Sequence, residues 1–205
     1  VDFPPGSGSA PGQTAGAGSR AGTACVTTHP NPTLAALIPD DPISLTVSTS
    51  PTFFVYIPPN TAEEGVFSLS LNPDSYGNYS EKVILSGEPG VIEIPLPQEV
   101  GLTPGQDYDW KFSLMCGGTA GAVVQGRIKP MELEPGLQTQ LAQTEEGSIA
   151  RAQVYANHQI WHEATEILYD LRGNTPQEWT EWLDSAGLSD LSQQPSAVEG
   201  SPTLF

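Results

Sequence analysis

From residue 33 to about residue 131, short runs of β-branched and aromatic residues are punctuated by Pro, Gly, Asn and Asp, the pattern of strands joined by tight turns. The runs span Ile43–Thr49, Thr52–Ile57, Val66–Leu71, Glu81–Leu85, Val91–Leu96, Asp107–Cys116 and Val123–Lys129. Val91-Ile92-Glu93-Ile94 and Tyr108-Asp109-Trp110-Lys111-Phe112 alternate apolar with polar positions. Successive strand side chains point to opposite faces, so alternation marks a strand with one face on a core and one toward water. Seven short strands separated by turns predict an antiparallel sandwich.

Beyond about residue 134 the period changes. Ala152, Ala156, Ile160, Ala164, Ile167 and Leu171 recur every three or four residues, which is one face of a helix. Asn157-His158-Gln159 interrupts this stripe and predicts a break into two antiparallel helices. A further helix opens at Thr175, which suits an N-cap, with Pro176 at the first helical position and Glu178 completing a capping box. Trp179, Trp182 and Leu183 form its apolar face, and Gly187 stops it. The spacing thus predicts a mainly β chain with a C-terminal helical appendix, α+β overall. Residues 1–32 form a Gly/Pro/Ser-rich arm, 33–132 the β-sandwich, 133–192 the helical appendix and 193–205 a tail.

One segment sharpens the β reading. Leu102-Thr103-Pro104-Gly105-Gln106-Asp107-Tyr108 resembles the tyrosine corner of fibronectin type III domains. The resemblance implies a seven-stranded immunoglobulin/fibronectin-III-like sandwich, with the Tyr108 hydroxyl bonded back to upstream backbone.

Charge narrows the partners. Seven Lys and Arg against 24 Asp and Glu give a net charge of −17. Phosphate binding needs a cationic footprint, so nucleic acid is excluded as an expected partner, as is docking on anionic lipid. The charge reads as a solvated, mutually repelling surface, with bridging by divalent cations as the alternative. No apolar run is long enough to span a membrane, so no membrane insertion is expected. The chain starts at Val1 without Met, a charged n-region or an apolar h-region, and reads as a mature chain whose export signal has been removed. The expected location is extracellular or at the cell surface, with the periplasm as alternative. An even pair of cysteines in such a chain, Cys25 and Cys116, predicts one disulfide, the alternative being two unpaired thiols.

Candidate chemistry is sparse. His158 and His162 stand four apart with Glu166 one turn further, so an unbroken helix would point all three at one metal. A turn at 157–159 removes that geometry, and the expected metal and cofactor complement is none. Asn72-Pro73-Asp74-Ser75-Tyr76-Gly77-Asn78 is rich in oxygen but holds only one acidic residue, and reads as a hairpin turn rather than a calcium loop. There is no Gly-x-Ser-x-Gly elbow and no Cys beside an evident base, so no catalytic residue is assigned and no enzyme is expected.

Several markers stand in a fixed order. They are Pro11-Gly12-x-Thr14-x-Gly16-x-Gly18-Ser19-Arg20 and Cys25, then Leu34-Ala35-Ala36-Leu37-Ile38-Pro39 and Ser50-Pro51-Thr52-Phe53-Phe54-Val55-Tyr56-Ile57-Pro58. The Tyr108-x-Trp110 strand ends at Cys116, and Tyr155-Ala156, Ile160-Trp161-x-x-Ala164, Trp179-x-x-Trp182-Leu183 and Gly187-Leu188 follow. Together, over about residues 10–192, they resemble the cyanobacterial domain-of-unknown-function family 928. The resemblance implies an exported cyanobacterial protein with both cysteines as regular features, and no activity. Its members place a Gly before the Ile-Trp step and Tyr-Asp after it, where this chain has Gln159, His162 and Glu163.

The functional expectation is a non-enzymatic structural or assembly subunit of an extracellular filament or surface layer. Its partner would be itself, linked through Val1, Asp2, Phe3, Pro4 and Pro5 at one end and Leu204 and Phe205 at the other, either lying along a neighbour's sheet edge or docked in a groove, since the prolines limit any added strand to a few residues. The alternative is a monomeric binding module for a surface glycan or a peptide. Peptide mapping under non-reducing conditions should recover a fragment linking Cys25 to Cys116. Recovery of both as alkylated thiols would leave the two residues unpaired.

Overall fold

The computed structural model describes residues 1, 26, 32–41, 43–70 and 79–196. It is mainly β, with two sheets and four helices. β1 (Ala35–Ala36), β3 (Thr52–Ile57) and β6 (Gly90–Pro95) form a three-stranded sheet in the order β1-β3-β6. β2 (Ser44–Thr46), β8 (Thr119–Pro130), β7 (Tyr108–Cys116), β4 (Glu64–Ser70) and β5 (Tyr79–Ile84) form a five-stranded sheet in that order.

Two features depart from a seven-stranded antiparallel arrangement. An eighth strand, β1, is a two-residue Ala-Ala pairing that no periodicity marks. β2 runs parallel to β8, in register from Ser44↔Ile128 to Thr46↔Pro130. The cause is the chain path. β2 leads directly into β3 of the other sheet, so it joins an edge beside a strand far along the chain instead of forming a hairpin.

β3 explains the layering. All six residues of Thr-Phe-Phe-Val-Tyr-Ile are buried. Phe53, Val55 and Ile57 enter a core shared with Phe67, Leu69, Trp110, Phe112 and Leu114 of the five-stranded sheet, while Phe54 and Tyr56 enter a second core with the helices. The Phe53 ring lies tilted against Phe67 (centroids 4.8 Å apart) and Trp110 (5.1 Å), and Phe54 lies 4.9 Å from Tyr169. The three-stranded sheet is therefore a middle layer, and its near-continuous apolar sequence is what burial on both faces requires. At Gly65 of β4 a side chain has no room, because an added Cβ would meet the Phe112 ring at 2.2 Å.

The helices are α1 (Pro135–Leu141), α2 (Ile149–Asn157), α3 (Trp161–Leu171) and α4 (Pro176–Ser185). Trp161 and Trp182 stack at 4.3 Å, and their indole N–H groups donate to the Leu37 carbonyl (2.9 Å) and the Thr165 hydroxyl (3.0 Å). Tyr169 donates its hydroxyl to the Val91 carbonyl at 3.2 Å, tying α3 to the middle sheet. The tail returns to the same place. Val91 N–H donates to Pro195 O at 2.9 Å, and Val91 and Ser196 form a parallel bridge on the β6 edge.

Local details follow the chemistry of ends and turns. Thr103 N–H donates to the Tyr108 hydroxyl at 2.9 Å, where Tyr108 begins β7. Thr175 stands at the α4 N-cap, but its hydroxyl donates to the Leu171 carbonyl, and Glu178 binds the Val1 ammonium. No capping box forms, because both side chains have stronger claims elsewhere. Gly187, at φ 73°, lets Leu188 N–H reach the Leu183 carbonyl at 2.8 Å and closes the helix. α2 and α3 are separated at Gln159, which takes φ 60° so that Ile160 N–H can reach the Tyr155 carbonyl at 3.0 Å. A left-handed conformation costs a non-glycine residue about 1 kcal/mol. Gln159→Gly should therefore raise stability by up to about 1 kcal/mol, less the entropy glycine adds to the unfolded chain. Equilibrium urea unfolding reads the difference, and a destabilised variant would mean the Gln159 side chain contributes more than its backbone costs.

Candidate functional site

Buried polar groups are the exception in a core and come with partners. Among the described residues several concentrate where α3 meets the sheets: Ser44, Thr46, Thr52 and His162 are all buried. Three side chains of α3 form this seam: His162 bonds Ser44 and Thr52, Glu163 the Thr46–Ser48 turn, and Glu166 the Thr52 hydroxyl.

His162 is 4% exposed. Its Nε2 lies 2.9 Å from the Ser44 hydroxyl of β2, and its Nδ1 lies 3.1 Å from the Thr52 carbonyl of β3. The ring meets Phe53 edge-on at 5.4 Å. One imidazole thus bridges both sheets. Burial pushes its pKa down to about 4, against the bond to Thr52, because the low-dielectric site disfavours the cation.

Glu163 serves the turn between the strands. Its Oε1 accepts from the Thr46 hydroxyl (2.5 Å), Val47 N–H (3.0 Å) and Ser48 N–H (2.9 Å). Its Oε2 is enclosed and has no hydrogen-bond partner among the described residues. Burial pushes this carboxyl above its ordinary range, although the bonds from Thr46, Val47 and Ser48 and from its own backbone N–H pull the other way. Glu166, at the surface end of the seam, accepts from the Thr52 hydroxyl at 3.0 Å.

A hollow of about 160 Å³ opens beside the seam, lined by Asp41, Ser44, Lys129 and Gln159 among others. Ser44 belongs to both, its hydroxyl also lying 3.1 Å from the Arg127 carbonyl. A second hollow, of about 350 Å³, lies at the β7–β8 turn beside Glu63, Glu64 and Met115.

The residues singled out from the sequence do not gather at this seam. His158 caps α2 beyond the Gln159 turn and does not share a site with His162, and no group of three metal-ligating side chains occurs among the described residues. Tyr108 and Cys116 lie at the two ends of β7, both buried in the inter-sheet core. The Val1 ammonium donates to Glu178 (2.6 Å) and Glu181 (3.2 Å) of α4, with its side chain buried against the helices. Cys25, Asp2, Phe3, Pro4, Pro5, Leu204, Phe205 and the 72–78 turn lie outside the described residues.

A family model described as Domain of Unknown Function (DUF928) matches residues 15–196. The chain belongs to the DUF928 family. No curated protein matches it. In this DUF928 chain the seam was hidden from sequence reading because Ser44, Thr46 and Thr52 are ordinary strand residues, and Glu163 looks like a solvated helix position. The available signal was His162-Glu163 directly after Ile160-Trp161, two polar residues on the border of the apolar stripe.

Glu163→Ala strands three donors and should cost on the order of 3 kcal/mol in urea unfolding. Glu163→Gln keeps one acceptor and should cost less. A carboxyl whose folded pKa is raised contributes stability that is whole below its unfolded value and lost as pH rises through the folded one. The deficit of Glu163→Gln should therefore be smaller at pH 8 than at pH 4.5. A deficit that grows with pH would show that the bonded carboxylate outweighs its burial.

Proposed function

We propose that this DUF928 chain is a non-enzymatic assembly subunit, exported and acting outside the cytoplasm, whose two-sheet body is of the immunoglobulin/fibronectin type. The observation that carries the reading is the tail on β6. The edge of the middle sheet takes up an extended segment through Val91 N–H and Pro195 O at 2.9 Å, with a parallel bridge to Ser196. The same main-chain bonds serve equally when the segment comes from a neighbouring copy, and head-to-tail exchange of that kind produces open polymers when the rotation does not close. Arg172 reinforces the contact from α3, its guanidinium bonded to the Ser196 hydroxyl and lying 3.5 Å over the Tyr169 ring.

The Tyr108 hydroxyl bond supports the proposed fold type. The proposed Cys25–Cys116 disulfide is supported by the next residue. Val26, one residue on from Cys25 in the chain, bridges Asn60 and packs on the core that contains Cys116. Such a link would tie the N-terminal arm to the body at a second place, Val1 being already held by Glu178 and Glu181 of α4.

Light scattering after size exclusion and negative-stain electron microscopy test the reading. The full chain should form oligomers or regular fibres, and versions lacking residues 193–205 or 1–22 should lose them while keeping the circular dichroism of the parent. Dispersed monomers from the full chain and both truncations would sink it and turn attention to a monomeric binding module for glycan or peptide.

A further inference from the structure

The seam beneath α3 holds one proton fewer than its hydrogen bonds require. Three contacts run in series: Ser44 Oγ to Arg127 O at 3.1 Å, Ser44 Oγ to His162 Nε2 at 2.9 Å, and His162 Nδ1 to Thr52 O at 3.1 Å. The two carbonyls at the ends only accept, so each contact needs its own proton from between them. The Ser44 hydroxyl supplies one and a neutral imidazole supplies one. With the ring proton on Nδ1, the Ser44 proton serves either Nε2 or the Arg127 carbonyl. With the ring proton on Nε2, the bare Nδ1 faces the Thr52 carbonyl, lone pair against lone pair. Only the imidazolium completes the chain.

The surroundings oppose that cation. The ring touches a hydroxyl, a carbonyl and the Phe53 ring, and among the described residues no carboxylate bonds to it. On α3 itself the neighbouring acids are Glu163, occupied by Thr46, Val47 and Ser48, and Glu166, bonded to Thr52. From β2 and β3 come Ser44 and Thr52, which do not titrate. From β8 comes the Arg127 carbonyl, its guanidinium being paired with Asp109 at 2.8 Å, and Lys129, 3.8 Å from Asp107. α2 brings Tyr155, with Arg151 over its ring, and His158 at its end; the Glu178 and Glu181 carboxylates of α4 hold Val1. An enclosed charge without a bonded counter-ion costs more than one added hydrogen bond returns. Ser44 gives this enclosed ring a route to solvent, since it also lines the hollow with Asp41 and Lys129.

We infer that the site is a proton-operated latch: a proton passed from the hollow through the Ser44 hydroxyl to His162 loosens the docking of α3 on β2 and β3. The same helix carries Tyr169 to Val91 and Arg172 to Ser196, so its release also frees the tail from the β6 edge and uncovers Phe54 of the middle sheet. The inference does not depend on the assembly reading.

The sign follows from linkage. A docked imidazole with its pKa near 4 gives up its proton more readily than an undocked one near 6.5, so docking is whole above about pH 6.5 and is lost as pH falls toward 4. Two measurements test it on the full chain. Nitrogen-detected NMR titration should place the His162 imidazole well below 6. Hydrogen exchange, corrected for intrinsic rates, should show protection across residues 161–171 falling by roughly 10²-fold between pH 7 and pH 4. In His162→Gln, which keeps a donor and an acceptor but cannot titrate, that fall should be largely abolished. Titration of His162 at or above 6.5, or the same pH profile in both proteins, would overturn the latch. The NMR arm needs only the parent protein, so a variant that fails to fold does not remove the test.

Discussion

Burial of one strand on both of its faces is the constraint on which this fold depends. Thr52–Ile57 sends Phe53, Val55 and Ile57 to one side and Phe54 and Tyr56 to the other, and neither set tolerates water. Each large apolar side chain contributes about 1.5–3 kcal/mol when enclosed, so leaving either face open forfeits several such contributions. The five-stranded sheet covers one face and the helices cover the other. The stack of sheet, sheet and helices is the arrangement that meets both demands of a single six-residue strand.

The polar seam is the counterpart of that apolar demand. Helix packing on a sheet by hydrophobic contact alone leaves rotation and register loosely defined. His162, Glu163 and Glu166 define them, because together they bond Ser44, Thr46 and Thr52, points spread along one segment. Enclosing such groups adds little net stability, and their worth lies in selecting one arrangement. The unpartnered Glu163 Oε2 and the proton shortage at His162 show that the selection is incomplete by one hydrogen bond on each residue.

Much of this was legible in the chain. The run Thr52–Ile57 coincides with β3, because β-branched and aromatic residues between two prolines have few alternatives. The break at Asn157-His158-Gln159 falls where α2 gives way to α3, for the stripe of Ala and Ile stops making sense there as one face. The α4 boundaries were readable from Pro176 and Gly187, whereas the capping partners were not. Thr175 and Glu178 were drawn to Leu171 and Val1, and nothing local forecasts such claims. β1 and the parallel β2–β8 pairing were illegible for a related reason. Two alanines carry no period, and the direction of a pairing is decided by a chain path that closes only in three dimensions. The seam was missed because its strand-side members are Ser and Thr, residues whose sequence context reads the same whether they face water or a buried imidazole.

The middle sheet also sets an order of events during synthesis. β3 is made early, its cover on one side requires β7 and β8, and its cover on the other requires α3 and α4, near the end of the chain. Until α3 and α4 have emerged, the Phe54–Tyr56 surface lacks its helical cover. A ribosome-bound intermediate with both sheets formed would display an aromatic face, the kind of surface that holdase chaperones retain. The Phe54–Tyr56 face is thus closed by elements that follow both sheets in the chain.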